Sequence, residues 1–219
     1  CVPFFVPLYY RKGSVGALLW FMDGGKSAVI TDRDLGWFVR WDKPSDKVDG
    51  GSVLLDAVGG YYDKDSSLSP QYLLYAGFND VLYSYNGGVA EMQADALPNG
   101  ITVMSEGNRL RIVRGTKPVL AGEVYDYTDE NSAMAKLSFS SRTGIFKGKF
   151  NLYYDFVKGG RLIHKAVSVP FAGILTQTRA DIFADYPSGQ GYYLVPENDP
   201  DLKPLRIKWS YPIWMDDMP

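Results

Sequence analysis

Apolar and polar residues alternate one for one along much of this chain, and nowhere recur at helical spacing over eleven residues or more. From Leu35 to Trp41 one face carries Leu35, Trp37, Val39 and Trp41, and the other Gly36, Phe38 and Arg40. Such period-two runs predict strands, about a dozen of them. Ile101–Met104 and Leu110–Val113 flank a Ser-Glu-Gly-Asn loop suited to a hairpin, and Asn86-Gly87, Asn99-Gly100 and Gly159-Gly160 punctuate other strand pairs. The final Trp209–Trp214 run reads as a further strand, with Pro212 pointing to an edge. Only Asp129–Lys136 has helical character, enough for a turn or two.

The most structured stretch runs from Gly144 to Val195. Phe146, Gly148, Phe150 and Leu152 share one face of a strand, and Lys147, Lys149 and Asn151 the other. A glycine on an apolar face removes a packing side chain and weakens the strand, so it needs a physical reason. Two are available: curvature as a sheet bends toward closure, or room for a neighbouring aromatic ring over bare backbone. Gly173 beside Phe171 and Gly191 beside Tyr193 repeat the arrangement. The expected fold is all-β, an antiparallel, strongly curved sheet forming small β-barrels, with a β-sandwich as the alternative.

Gly13-Ser-Val-Gly16 through Trp20, followed by Leu35-Gly36-Trp37, echoes Gly144 through Phe150 followed by Phe171-Ala-Gly173. The echo suggests two similar halves, about 1–122 and 123–219, within a single all-β unit over 1–219. Asp42–Gly51, Asp63–Pro70 and Glu197–Pro204 read as surface loops.

Composition narrows the classes. The 219 residues are 46% hydrophobic and 15% aromatic, with 16 tyrosines, enough for a real core. Against 25 acidic residues stand 23 basic ones in mixed order, for a net charge of -2, which disfavours a nucleic-acid partner. No apolar run reaches the roughly 18 residues of a membrane helix, and no signal peptide is present in the chain given. Cys1 is the only cysteine, so an internal disulfide and a cysteine metal site are excluded. It reads as a processing boundary, against a lipoprotein terminus or an N-terminal nucleophile.

The chain resembles a β-rich module found near the C-termini of large secreted or surface proteins of Planctomycetes, Verrucomicrobia and Lentisphaerae. The likeness rests on Val6-Pro-Leu-Tyr-Tyr10 with Lys12-Gly13-Ser-Val15, on Leu35-Gly36 and Trp41-Asp-Lys-Pro44, and on Gly51–Tyr62. Its most diagnostic parts are Thr143–Phe150, Phe171–Gln177 and Gly189–Tyr193. These motifs are structural; the resemblance implies a bacterial surface location and carries over no established activity or catalytic residue. Two departures stand out: the chain begins almost on the Pro-Leu-Tyr segment, which suggests an excised or processed fragment, and the Arg179–Gly189 insertion is long, a place for individual specificity.

Candidate chemistry is sparse. His164 is the only histidine, so any Ser-His-Asp relay would need it; in Arg161-Leu-Ile-His-Lys, a polar-edged strand start, it reads as exposed or structural. No catalytic residue is assigned. Trp20, Trp37, Trp41, Tyr61, Tyr62, Trp209 and Trp214 are candidates for sugar stacking, with core packing the first reading for most. Trp37, Trp41, Tyr61, Tyr62 and Tyr186 are the selected ligand-binding residues. Asp63 with Asp65, and Asp199 with Asp201, are weak calcium candidates, solvated turns being the first reading; no other cofactor is expected.

The expected function is a non-enzymatic extracellular β module, a structural, assembly or adhesion part of a bacterial surface protein. Its partners would be other domains or subunits of that protein, or a glycan. The alternatives are a carbohydrate-binding module and a hydrolase with paired carboxylates.

Overall fold

The computed structural model describes residues 2–8, 10, 12–22, 27–29, 39–44, 50–55, 58–60, 62–76, 80–85, 88–93, 100–122, 124–176, 188–197, 204 and 208–218. These residues form an all-β fold with antiparallel pairing throughout, in two compact units. One comprises residues 1–62 and 176–186, the other 63–175 and 187–219. Gly122, at the division suggested by the sequence echo, lies in the second unit.

The first unit holds β1 (Val2–Leu8), β2 (Gly13–Met22), β3 (Ser27–Val29), β4 (Val39–Lys43), β5 (Gly51–Leu55) and β6 (Val58–Gly60). Its sheet runs β5-β4-β2-β3-β6, with β1 paired to β2 from Val2↔Leu19 to Leu8↔Gly13. The expected Leu35–Trp41 strand is seen from Val39 onward; 35–38 lie outside the described residues.

The second unit holds β7 (Gln71–Ala76), β8 (Asp80–Tyr85), β9 (Gly88–Gln93), β10 (Ile101–Glu106), β11 (Arg109–Ile112), β12 (Val119–Ala121), β13 (Val124–Asp126), β14 (Lys136–Phe139), β15 (Ile145–Lys158), β16 (Arg161–Leu175), β17 (Gly189–Pro196) and β18 (Lys208–Asp217). Four of the 18 described strands, β3, β6, β12 and β13, are only three residues long, too short for alternation to reveal. Asp129–Lys136 holds successive turns, Met134 N–H donating to Asn131 O at 3.1 Å, before β14 begins.

The main sheet follows β11-β10-β7-β18-β17-β16-β15. The long hairpin β15–β16 pairs from Ile145↔Ile174 to Lys158↔Arg161 around Gly159 and Gly160, both at positive φ. β14 joins the first half of β15, and β9 meets the second half at Tyr153. Because β14 also comes alongside β11, eight strands curl into a nearly closed barrel.

Eight strands leave an interior just wide enough for side chains to fill. Tyr193, Phe146, Phe150, Leu74, Ile101, Leu152, Leu175, Ile213 and Met215 fill it, all less than 2% exposed. β7 shows the expected alternation, Tyr72, Leu74 and Ala76 buried between half-buried neighbours. Burying each large apolar side chain contributes roughly 1.5–3 kcal/mol.

Gly148 and Gly173 admit aromatic rings, whereas Gly191 lies against the main chain of Ala172 and Gly173 on the next strand and not against a ring. Phe146 lies opposite Gly173, and Phe171 opposite Gly148. A Cβ on Gly148 would come within 2.6 Å of Phe171 Cζ, and one on Gly191 within 2.5 Å of Gly173 Cα. The echoing Gly16 is roomier, its nearest neighbours 3.5 Å from such a Cβ.

Pro212 does not mark an edge. β18 is central, paired with both β17 and β7, but pairing with β7 begins at Ile213, one residue later. Pro170 sits equally just before β16 begins pairing with β17 at Phe171. Each proline thus lies one residue before the described pairing with a second strand begins, so its missing N–H does not interrupt that ladder.

Candidate functional site

Apolar side chains fill the barrel interior of the second unit. On its outer face the register aligns Ile174, Gln190, Trp214 and Tyr75 in one row across β16, β17, β18 and β7. Tyr75 and Trp214 stand 5.4 Å apart, centroid to centroid, with their planes at 51°. Tyr192, half exposed, lies opposite Pro212 in the next row. Asp216 is on the same face; burial, helped by this carboxylate's charge, pushes the Tyr75 hydroxyl up. The row is a ribbon of aromatic surface edged by an amide and a carboxylate. At the end of the barrel, Trp209 Nε1 donates to Glu197 Oε2 at 2.7 Å, and Tyr211 stacks on Tyr193 at 5.4 Å.

A second cluster surrounds the single histidine. Asp155 and His164 are cross-strand neighbours, with Nδ1 and Oδ1 2.6 Å apart. The imidazole is sandwiched between Tyr125 of β13 (3.7 Å, 15°) and Tyr153 of β15 (4.9 Å, 11°). Tyr153 Oη donates to Ser132 O at 2.9 Å, and burial pushes this phenol up. His164 Nε2, the atom that would relay a nucleophile's proton, is buried and has no hydrogen-bond partner among the described residues. The cluster pins β12–β13 to the long hairpin, which accords with a structural histidine.

The third feature is the barrel's seam. β11 and β14 come alongside each other without pairing, leaving a groove of about 480 Å³ lined by Leu110–Gly115 and Met134–Leu137. At one end Asn131, fully buried, ties the sides together: Nδ2 donates to Val113 O (2.6 Å) and Ala135 O (3.1 Å), and Oδ1 accepts from Ala135 N–H (2.7 Å). There Gly115 packs so closely on Met134 that a Cβ would lie 2.6 Å from its Cα. Arg111, Arg114 and Lys136 are the charged lining residues, with no acidic residue among the ten. Sequence reasoning missed this groove. Its one signal was the arginine spacing in Arg109-Leu-Arg-Ile-Val-Arg114.

Of the five ligand-binding residues selected from sequence, Trp41 and Tyr62 fall among the described residues. Trp41, in β4, is half-buried, and Lys43 Nζ sits 4.4 Å from its ring centroid, so one face is occupied by the chain itself. Tyr62 is half-buried at the end of the first unit. Trp37, Tyr61 and Tyr186 lie outside the described residues, as do Asp199, Asp201 and most of Arg179–Gly189. Asp63 folds its own turn: Oδ1 accepts from Asp65 N–H (2.9 Å) and Oδ2 from Ser66 Oγ (3.0 Å). Asp65 lies 3.7 Å from Lys64 Nζ. Among the described residues no group of three or more His, Cys, Asp or Glu is placed to hold a metal, and no helix is long and apolar enough to cross a membrane. No protein family, curated protein or solved structure matches this chain.

Proposed function

We propose that this chain is a non-enzymatic extracellular β module, a structural and assembly part of a bacterial surface protein. The observation that carries the reading is the packed barrel: its largest interior side chains are fully buried, so interaction falls to its faces and strand edges. The likeness of Thr143–Phe150, Phe171–Gln177 and Gly189–Tyr193 to surface modules supports the location, and other domains or subunits of the same protein are the partners it names. The test is surface biotinylation of cells expressing the gene with and without the second unit's segments. Loss of the truncated protein from the surface is expected; equal display and retention of both forms would sink the reading.

One observation favours a second reading, carbohydrate binding. Tyr75, Trp214 and Tyr192 present aromatic surface beside Gln190 and Asp216, a combination suited to the apolar face and hydroxyls of a pyranose. Rings tilted by 51° engage successive sugars at different angles and not as one flat platform. Calorimetric titration with cello-, xylo- and chito-oligosaccharides tests it. Saturable heat that vanishes in Trp214→Ala is expected, and its absence for all three rules the reading out for those glycans.

A further inference from the structure

The groove between β11 and β14 has the makings of a strand-addition site, and we propose that it binds an extended, acidic segment of a partner chain. The inference deepens the assembly reading, by naming the surface and the partner's chemistry.

Main-chain direction comes first. Glu106 and Arg109 close the two-residue turn of the β10–β11 hairpin. Hydrogen-bonded and non-bonded pairs alternate from there, which turns the N–H and C=O groups of Leu110 and Ile112 away from β10. Ser105, opposite Leu110, agrees: its N–H donates to Pro70 O at 3.0 Å, on the side away from β11. On the other wall, Asn151 N–H donates to Ala133 O at 2.8 Å and Ser140 N–H to Ile145 O at 2.9 Å. The same alternation therefore points the main-chain groups of Leu137 away from β15 and into the seam. Both walls present strand edges to each other, and β11 and β14 do not pair.

Width comes second. A strand seated between two others needs about 9.6 Å between them, twice the strand spacing, while β11 and β14 approach within 8 Å at their contacting Cα positions. Entry therefore spreads the seam. The Asn131 bracket and the Gly115–Met134 contact hold only one end of it. The β10–β11 turn lies at the other, where separating the walls breaks no ladder.

Charge and polarity select the occupant. Arg111 is engaged by Glu106 at 2.9 Å, but Arg114 and Lys136, both exposed, make no ion pair among the described residues. Leu110 and Ala135 supply a buried apolar floor. An uncompensated cationic rim in a chain of net charge -2 favours acidic side chains that alternate with apolar ones. In a strand that alternation sends the apolar set to the floor and the acidic set to the rim.

The test uses the purified chain and three labelled, end-capped peptides in fluorescence polarisation: Glu-Val-Glu-Val-Glu-Val, its Lys-Val counterpart, and the acidic peptide N-methylated at alternate residues so that it cannot pair along one edge. Saturable binding of the acidic peptide alone is expected, weakened at least tenfold by Arg114→Glu/Lys136→Glu. The same charge change at the hairpin tip, Lys158→Glu/Arg161→Glu, should leave it within twofold. Circular dichroism confirms that both variants fold, and Arg114→Gln/Lys136→Gln replaces the first if it does not. No binding of the acidic peptide, equal binding of the basic one, equal binding of the methylated one, or indifference to the groove variants would each overturn the proposal. Being made on the isolated chain, this test can fail while the surface-display test succeeds, and the reverse.

Discussion

Phe146 and Gly173 face each other across β15 and β16, and the phenyl ring lies over the glycine's bare backbone, where a Cβ would meet Phe146 Cε2 at 2.7 Å and Gln190 O at 2.6 Å. The space is bounded by main chain on one side and a core ring on the other, so little can yield. Gly173→Ala should cost about 2–3 kcal/mol, as overpacked cores do. Gly148→Ala should cost at least as much, since the Lys136 carbonyl and the Phe171 ring crowd that site. Gly16→Ala, in the other unit, should be close to neutral. Urea denaturation checks all three, and a mild Gly173→Ala would refute ring packing as the reason for the glycine.

Tyr193 is fully buried, and among the described residues its hydroxyl has no hydrogen-bond partner. An unsatisfied buried hydroxyl carries a desolvation cost of about 1–3 kcal/mol. Tyr193→Phe removes the oxygen and keeps the ring against Phe150 (5.1 Å) and Tyr211. The variant should melt at a higher temperature than the parent; a lower one would mean that the oxygen is held by something worth keeping.

Alkaline pH should unfold the second unit. Burial pushes the phenols of Tyr75, Tyr153, Tyr154, Tyr193 and Tyr211 above the ordinary value of 10.0. The folded state therefore keeps protons that the unfolded chain releases. Their contribution is intact below pH 10 and is lost as pH rises from 10 through the raised values, at about 1.4 kcal/mol per pH unit for each such group. Denaturation midpoints from pH 9 to 12 should fall more steeply than one proton allows, and less steeply in Tyr193→Phe.

The Asp155–His164 pair should act as a clamp on β12–β13. His164→Ala removes both the 2.6 Å contact and the stack on Tyr125, and should raise hydrogen exchange at 119–126 at least tenfold. His164→Phe keeps the stacking and should lie between that variant and the parent. Exchange confined to these residues is the signature expected; uniform loss of protection across the barrel would contradict a local clamp.

Much of the fold was legible before the structure because its causes are local. Period-two alternation marked the Gly144–Leu152 strand and the Ile101–Val113 hairpin, and Gly159-Gly160 marked the turn of the longest one. Pro212 misled because a proline at the point where one neighbour's pairing begins has the same local sequence as one on an edge. The candidate sites were hardly legible. Trp41 was a candidate platform by residue type alone, and nothing in the sequence announces that Lys43 will fold over its ring; Asp63 was a weak ligand candidate beside its first reading, a turn, and a turn is what takes up both its oxygens.

Strand period and hairpin positions belong to the sequence by itself, because each depends on residues within a strand or its turn. Tertiary structure alone decided that Tyr125 and Tyr153 would enclose His164, that Gln190, Trp214 and Tyr75 would form one row, and that β11 would meet β14 without pairing. The physical reason is that register and closure accumulate around the sheet. Each strand's twist and stagger adds to the last, so where the eighth strand meets the first, and whether their edges engage, is a property of all eight together.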